Sequence, residues 1–220
     1  MKWTVIDMKI LVTGFEPFGG EKINPALEAV LQLQDRYDGI EVIKAILPVV
    51  FYKSIRILED LIEYHTPDVV LCIGQAGGRS YISIERVAIN IDDARIPDND
   101  GQLPIDLPVR KDGPAAYFSN LPIKAIVQNI QMQGIPAQIS NTAGTYVCNH
   151  ILFGLMDVIA QKYPQIRGGF IHVPYVPSQV AQMPNTPSMN LVDIIRAIEI
   201  AIETIVAMAE DIVLSAGTIC

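Results

Sequence analysis

Two short apolar segments limit what this chain can fold into more than any other feature. Lys9-Ile-Leu-Val-Thr-Gly14 and Asp68-Val-Val-Leu-Cys-Ile-Gly74 are rich in branched residues, and each ends at a glycine. Continuous apolar runs of this length are typical of strands that are covered on both faces, as in parallel sheets. We therefore expect helices on both sides of the central strands.

The segments around these strands predict alternating helices and further strands. Asn24-Pro25 is typical of a helix start, with asparagine as the N-cap and proline at the first helical position, and this helix is predicted to run to about Arg36. Ile40 to Leu47 predicts a strand, and Ser54 to His65 a second helix. This β-α-β-α-β order predicts an α/β fold with a mostly parallel, twisted central sheet.

The alternation stops at Gln75 to Gly113, an irregular segment that contains one alternating stretch, Tyr81 to Asn90, and then resumes. Loops as long as this one are usually functional or mobile, so it is a candidate for a lid or a subunit contact. No repeat or linker is visible, and residues 1–220 are predicted to form a single catalytic domain. The later elements are predicted as a helix at Ile123–Gln133, a strand at Ala137–Ser140, a helix at Asn149–Tyr163, a strand at Gly168–Pro174, a loop at Pro174–Pro187 and a last helix that Ser188 caps.

Composition and charge exclude several classes of protein. Half of the 220 residues are hydrophobic and 18% are charged, which favours a folded core. The net charge of −8 argues against binding to nucleic acid, which needs a basic surface. The most membrane-like segment, Leu191 to Leu214, carries a polar stripe on one helical face, so it predicts an amphipathic helix packed on the core and no association with a membrane. The stripe consists of Asp193, Arg196, Glu199 and Glu203.

The cysteine content predicts a cytoplasmic protein. Cys72, Cys148 and Cys220 give an odd count without a C-x-x-C spacing, so neither a disulfide framework nor a zinc site fits. Met1 to Asp7 holds no signal-peptide core. Cys220 is the terminal residue and is predicted to be exposed and without a role in chemistry.

Cys148 is the candidate nucleophile, because it stands at the start of a long helical pattern. Unpaired backbone N–H groups and the positive end of the helix dipole favour a thiolate there. The alternative that Cys148 is a small buried apolar residue stays open on this pattern alone. His150 is two positions away and points elsewhere on the helix, whereas His172 ends a predicted strand, where ligands of open α/β sheets bind.

A cysteine–histidine pair needs a third group that orients the imidazole. Glu85 lies among apolar neighbours and is a candidate for this role, with an ion pair to Arg86 as the open alternative. The loop after the first strand contains Phe15 and Phe18 and matches neither a dinucleotide fingerprint nor a P-loop. Its two rings suit a small apolar ring of a ligand, although core packing of one of them is an open alternative.

Six blocks of sequence surround these candidates. They are GFEPFGG at Gly14–Gly20, GQAGGR at Gly74–Arg79, ERVAIN at Glu85–Asn90, DARIPDN at Asp93–Asn99, NTAGTYVCN at Asn141–Asn149 and GFIHVPY at Gly169–Tyr175. In this order, and over nearly the whole chain from Met8, they resemble the pyroglutamyl-peptidase I (pyrrolidone-carboxylate peptidase) family. The resemblance implies a cysteine peptidase that removes N-terminal pyroglutamate (5-oxoproline) from peptides through a thioester. It also implies an α/β/α sandwich, no metal or organic cofactor, a cytosolic location and a homotetramer.

The resemblance also assigns roles to individual residues. Cys148 is then the nucleophile, His172 the general base and later acid, and Glu85 the group that orients His172. Arg95 joins the backbone N–H of Cys148 in binding the oxyanion. For the substrate, Phe15 and Phe18 sandwich the pyrrolidone ring, Asn24 and the backbone of Gln75 position its lactam groups, and Tyr146 and Val147 complete the pocket wall.

Two departures from the family and two rival functions complete the prediction. Tyr146 stands where the family often has phenylalanine, and residues 1–7 precede the family's usual start as an extension without an assigned function. One rival function is a phosphorylase-type enzyme that binds phosphate and ribose with the glycine-rich loops. This function gives Cys148, His172 and Glu85 no common role. A ligand-binding protein that has lost its chemistry is disfavoured because all three residues are present.

Overall fold

The computed structural model describes residues 8–37 and 39–217, so the predictions for residues 1–7 and Cys220 lie outside it. Within these residues, seven strands form the main sheet, in the order β2-β3-β1-β4-β9-β5-β8, and β6 and β7 form a separate two-stranded antiparallel sheet. The strands are β1 Met8–Phe15, β2 Arg36–Tyr37, β3 Ile40–Leu47, β4 Val69–Gln75, β5 Ile82–Glu85, β6 Val87–Ile89, β7 Ala116–Phe118, β8 Ala137–Ser140 and β9 Arg167–Val173.

The central strands β3, β1, β4 and β9 are parallel, which confirms the predicted α/β fold with a mostly parallel sheet. Reversals occur toward the edges, because β2 is antiparallel to β3 and β5 is antiparallel to β9. Strand β8 pairs in parallel with β5 and therefore also runs against the central strands. The segment after β8 consequently leaves the sheet in the direction opposite to the ends of β1, β4 and β9.

Helices cover both faces of the sheet, as the continuous apolar strands predict. Val12 and Leu71 contribute to the core under α1, α3 and α6, whereas Leu11 and Val70 contribute to the core under α2 and α4. All four side chains are fully buried, since alternate residues of each strand point to opposite layers. The helices are α1 Pro25–Gln32, α2 Lys53–His65, α3 Ile123–Met132, α4 Val147–Lys162, α5 Pro177–Val180 and α6 Leu191–Ala207.

Helix α1 ends earlier than the sequence predicts. It stops at Gln32 rather than near Arg36, and Arg36 and Tyr37 pair with β3 instead. The Tyr37 hydroxyl accepts a hydrogen bond from the backbone N–H of Gln34 at 2.9 Å, which stabilises the turn between helix and strand. The start of α1 is as predicted, because Asn24 Oδ1 accepts the N–H of Ala26 at 3.1 Å and Pro25 is the first helical residue.

Both ends of the last helix also differ from the prediction. Ser188 does not cap α6, because Met189 N–H donates to the carbonyl of Tyr175 at 2.8 Å and the N-cap position falls to Asn190. At the other end Arg167 binds the carbonyls of Ile205 and Met208, so the helix ends at Ala207 rather than near Leu214. The region predicted as the Pro174–Pro187 loop contains the single turn α5.

The polar stripe of α6 lies where the sequence places it. Arg196 forms ion pairs with Glu199 at 3.3 Å and with Glu203 at 3.1 Å, whereas Ile194 and Ile198 on the other side of the helix are fully buried. This confirms an amphipathic helix that packs on the core. Among the described residues, no helix is both long and apolar enough to cross a bilayer.

We predict that Gly154→Ala lowers the free energy of unfolding by about 1–3 kcal/mol through overpacking. A methyl group at Gly154 would lie 2.3 Å from Ile55 Cδ1 and 2.4 Å from Ile55 Cγ1, where α4 crosses α2. This loss is expected even though alanine is favoured over glycine in a helix by about 1 kcal/mol. Urea unfolding measures the change. In an Ile55→Ala background the same substitution should no longer destabilise, and a loss that persists there would contradict the close approach as its cause.

Candidate active site

The helix that carries Cys148 starts where the sequence predicts a helix start. Tyr146 is the N-cap of α4 without a side-chain capping hydrogen bond, and Cys148 is the second helical residue. The loop after Ser140 brings the chain back from the reversed end of β8, so that Cys148 lies over β4. A methyl group at Gly74 would come within 3.1 Å of Cys148 Sγ. The absence of a side chain at Gly74 therefore makes room for the sulfur.

Burial raises the pKa of the Cys148 thiol to about 12, and the negative charge of Glu85 adds to the rise while Arg79 opposes it. This direction opposes the thiolate that the helix start favours, because burial penalises the charged form. Burial also raises the pKa of Cys72 to about 12. The thiol pKa therefore does not distinguish Cys148 from Cys72, and only the groups around each thiol can do so.

His172 lies on β9 beside Gly74 of β4, because the two residues are partners in the parallel register. Its Nδ1 is 2.7 Å from Glu85 Oε1, and both side chains are buried. An ionised carboxylate only accepts hydrogen bonds, so Nδ1 carries the proton and Nε2 is left as the basic nitrogen. Ser83 and not Glu85 is the register partner of His172, so Glu85 reaches the imidazole along the diagonal of the antiparallel pair.

Glu85 binds a second partner that the sequence analysis did not single out. Arg79 Nη1 donates to Glu85 Oε1 at 2.8 Å, and Arg79 Nη2 donates to the carbonyl of Thr142 at 3.3 Å. The alternative ion pair between Glu85 and Arg86 does not form, since Arg86 instead donates to the carbonyl of Ala216. The signal for Arg79 in the sequence was its place in the GQAGGR block.

Burial opposes the ionisation of Glu85, but hydrogen bonding and electrostatic interaction with His172, together with hydrogen bonds from Ser140 and Arg79, outweigh it. The pKa of Glu85 is consequently lowered from its ordinary value of 4.5. A carboxylate with no exposed surface is stable only when it is paired in this way.

A small, narrow and largely enclosed pocket opens onto Cys148. All six residues predicted to bind substrate line it, and Val49 is a lining residue that the sequence analysis missed. The predicted six are Phe15, Phe18, Asn24, Gln75, Tyr146 and Val147.

The phenol of Tyr146 does not make the pocket polar, because its hydroxyl is already bound. The hydroxyl donates to the carbonyl of Pro97 at 3.1 Å, and the ring packs edge-on against Phe51 with centroids 5.4 Å apart. Burial raises the pKa of Tyr146 to about 12, with the charges of Asp98 and Cys148 adding to the rise. Tyrosine thus supplies a neutral ring where the family often has phenylalanine.

A larger, open cleft adjoins the inner pocket and shares Phe18, Gln75 and Tyr146 with it. Arg95 is exposed in this outer cleft and does not line the inner pocket, so its role in binding the oxyanion stays a prediction.

Asn24 lines the inner pocket, but its Oδ1 caps α1 and its Nδ2 donates to the carbonyl of Glu16 at 3.1 Å. One amide hydrogen of Asn24 remains for a ligand.

The loop that carries Arg95 is held by two buried carboxylates. Asp98 accepts hydrogen bonds from the backbone N–H groups of Phe51, Asp100 and Gln102. Asp92 binds His150 Nδ1 at 2.8 Å.

His150 Nε2 in turn accepts the N–H of Tyr52 at 2.7 Å. Both nitrogens of His150 are therefore occupied, and the role of His172 as the base stays a prediction. No group of three or more histidine, cysteine or acidic side chains in the described part of the chain is arranged to hold a metal ion.

Comparison with known proteins places this site in a family. The family model for pyroglutamyl peptidases matches residues 8–208. The chain belongs to the pyroglutamyl peptidase family. It is 55% identical over 213 residues to the pyrrolidone-carboxylate peptidase of Clostridium perfringens, covering 97% of this chain and 100% of that protein. Membership in the pyroglutamyl peptidase family confirms the predicted cysteine-type exopeptidase.

Two further relatives agree in sequence and in structure. Pyrrolidone-carboxylate peptidase 1 of Streptococcus pneumoniae is 60% identical over 199 residues, which cover 90% of this chain and 93% of that protein. The crystal structure of pyroglutamyl peptidase I from Bacillus amyloliquefaciens superimposes with a TM-score of 0.93 at 49% identity, covering 96% of this chain and 100% of that one. Members of the pyroglutamyl peptidase family thus share this fold over nearly its full length.

The lowered pKa of Glu85 predicts how acid affects stability. The carboxylate contributes stability that is fully present above its ordinary pKa and is lost as the pH falls through the lowered one, because the unfolded chain takes up the proton first. Between about pH 5.5 and pH 3, the free energy of unfolding should therefore fall more steeply for the parent than for Glu85→Gln. Urea titrations at a series of pH values measure both. Parallel pH dependences would contradict the lowered pKa.

Proposed function

We propose that this enzyme hydrolyses the bond after an N-terminal pyroglutamate, using Cys148 as the nucleophile and His172 oriented by Glu85. The observation that carries the proposal is the 2.7 Å hydrogen bond between buried His172 and Glu85. His172 is the register partner of Gly74, whose lack of a side chain leaves room for Cys148 Sγ. The closed pocket on Cys148 supports a small substrate ring, and the relatives' names support pyroglutamate as that ring.

The first step of the reaction is a coupled proton transfer and attack. Because the Cys148 thiol is protonated at rest, His172 Nε2 takes its proton as the sulfur attacks the carbonyl that follows the pyrrolidone ring. Glu85 stabilises the imidazolium that forms. The tetrahedral oxyanion lies near the start of α4, where backbone N–H groups have no helical partner, and a preorganised donor there is typically worth about 3–4 kcal/mol.

The second half of the reaction reverses the role of His172. The imidazolium gives its proton to the departing amine, and the bond between carbonyl carbon and nitrogen breaks to leave a thioester on Cys148. His172 then removes a proton from water, which attacks the thioester and releases pyroglutamate and the free thiol. We assign Arg95 to the oxyanion in this scheme, which requires the exposed guanidinium to turn inward from the outer cleft.

The chemistry of pyroglutamate fits the pocket. Its ring is uncharged and its nitrogen is acylated, so it offers no ammonium group for carboxylates to bind. A wall of Phe15, Phe18 and Tyr146 with a few amide groups matches such a ring, whereas a pocket for an ordinary N-terminus would need acidic side chains or a metal.

We extend the proposal to location and assembly. A homo-oligomer, commonly a tetramer in the family, is supported by the loop at 103–107, on which Leu103, Ile105 and Leu107 expose 50%, 67% and 47% of their surface. Free rather than paired Cys72 and Cys148 support a reducing compartment such as the cytoplasm.

We predict that Cys148→Ala and His172→Gln each reduce kcat on pyroglutamyl anilide by about 10³-fold or more, because each removes one half of the nucleophile–base pair. Aniline release measures turnover. Cys72→Ala is the matched control, since it removes a buried thiol outside the pocket, and it should retain the parent kcat. A folded Cys148→Ala enzyme with parent activity would overturn the assignment.

We predict that Arg79→Met lowers kcat about tenfold with little change in KM, because Arg79 binds Glu85 and lines neither the inner pocket nor the outer cleft. Arg79→Lys should recover part of the loss, since a single ammonium cannot bind Glu85 and the Thr142 carbonyl together. Steady-state kinetics on pyroglutamyl anilide separate kcat from KM. Arg86→Met removes a nearby guanidinium that points away from Glu85, and an equal loss there would contradict a specific role for Arg79.

A further inference from the structure

The segment after β9 places one amide side chain against Gln75, a residue that lines the inner pocket. Gln179 belongs to the single turn α5. Its Oε1 accepts the backbone N–H of Val176 at 3.1 Å, and its Nε2 donates to Gln75 Oε1 at 3.0 Å. A longer contact of 3.3 Å joins the same Nε2 to Glu21 Oε2.

These partners fix the orientation of both amides. A backbone N–H can only donate, so the atom of Gln179 that faces Val176 is its oxygen and the atom that faces Gln75 is its nitrogen. Gln75 must then turn its own oxygen toward Gln179 and its nitrogen away from it. Within residues 8–37 and 39–217, Gln75 Nε2 has no protein acceptor, and it is not one of the polar atoms sealed from solvent.

Gln75 stands on the boundary between the two spaces of the site. It lines both the inner pocket and the outer cleft, whereas Cys148 lines only the inner pocket. When the ring of a substrate fills the inner pocket, the peptide chain beyond the scissile bond crosses this boundary into the outer cleft. The group that a free amide N–H complements there is a peptide carbonyl oxygen.

We propose that Gln75 Nε2 donates a hydrogen bond to the first carbonyl beyond the scissile bond, that of the residue after pyroglutamate. Gln179 is the positioning residue that turns the Gln75 amide toward this carbonyl. The inference rests on the proposed function, because it takes pyroglutamate to fill the inner pocket. It makes the outer cleft a subsite that favours peptides over simple amides of pyroglutamate.

The test compares one substrate that has this carbonyl with one that lacks it, and each variant is read against the parent on the same two substrates. Pyroglutamyl-alanine amide has it, whereas pyroglutamyl anilide has no carbonyl beyond the scissile bond. Gln179→Glu keeps an acceptor for Val176 N–H but cannot donate to Gln75, so the Gln75 amide turns its nitrogen toward Glu at 179 and its oxygen toward the cleft. Because Glu21 would repel the new charge, the substitution is made in a Glu21→Gln background.

One hydrogen bond is worth a factor of about three to ten in binding. In Glu21→Gln/Gln179→Glu we expect kcat/KM to fall by about that factor for pyroglutamyl-alanine amide and by less than about twofold for the anilide. Gln75→Met removes the donor itself, and its loss should be larger for pyroglutamyl-alanine amide than for the anilide, whose ring also contacts Gln75 in the inner pocket. Glu21→Gln alone and Ser178→Ala, an exposed neighbour in α5, should keep the parent ratio of the two constants.

Each outcome decides the matter. The proposal is overturned if the ratio of the two kcat/KM values, peptide amide over anilide, stays at the parent value in Glu21→Gln/Gln179→Glu. This holds whether both kcat/KM values fall together, as a purely structural role requires, or neither changes. A selective loss for the peptide in both variants supports it. Failure of the proposed function is distinguishable, because the parent would then hydrolyse neither substrate.

Discussion

The rest of the site depends on the hydrogen bonds that the buried carboxylate of Glu85 accepts. One of its oxygens accepts hydrogen bonds from both His172 and Arg79, and the carboxylate has no exposed surface. Strand β5 supplies Glu85, β9 supplies the imidazole, and the loop after β4 supplies the guanidinium. An unpaired charge in this position would cost several kcal/mol, so each of the three segments is held in place by the other two.

The same carboxylate raises the pKa of the cysteine it serves. Its charge opposes ionisation of Cys148, and burial opposes it more strongly. In the proposed mechanism, deprotonation of Cys148 is therefore coupled to attack, so the position of His172 matters more than the acidity of the thiol. The oxyanion of this mechanism would lie near the start of α4, where backbone N–H groups have no helical partner.

The extent to which sequence predicted this structure follows from the range of the interactions involved. Strands such as β1 and β4 are covered on both faces, so their apolar runs identify them locally, and the start of α4 follows from a periodic pattern. The end of α1 was missed because it depends on the pairing of Arg36 and Tyr37 with β3, and the end of α6 because Arg167 binds its last carbonyls. Such contacts join distant parts of the chain and leave no local pattern.

In the candidate site, too, the contacts between distant parts of the chain left no local pattern in the sequence. The pairing of Glu85 with His172 joins residues 87 apart across an antiparallel step in the sheet. The residues alone left this pairing and an ion pair with Arg86 as alternatives, and the family resemblance favoured the pairing with His172. Arg79 stands alone in a glycine-rich loop, where nothing in its neighbourhood indicates that it points at a buried carboxylate. The pocket residues were assigned by resemblance as well, and the structure places all six around Cys148.

The two sides of the outer cleft are built differently. On one side Asp98 ties down three backbone N–H groups and Tyr146 binds the Pro97 carbonyl, so the loop that carries Arg95 is already folded before a substrate arrives. On the other side Tyr175 lines the cleft, and α5, which begins two residues further on, is a single turn without a buried residue. If the outer cleft holds the peptide as proposed, substitutions in α5 can change peptide preference without disturbing Glu85, His172 and Cys148.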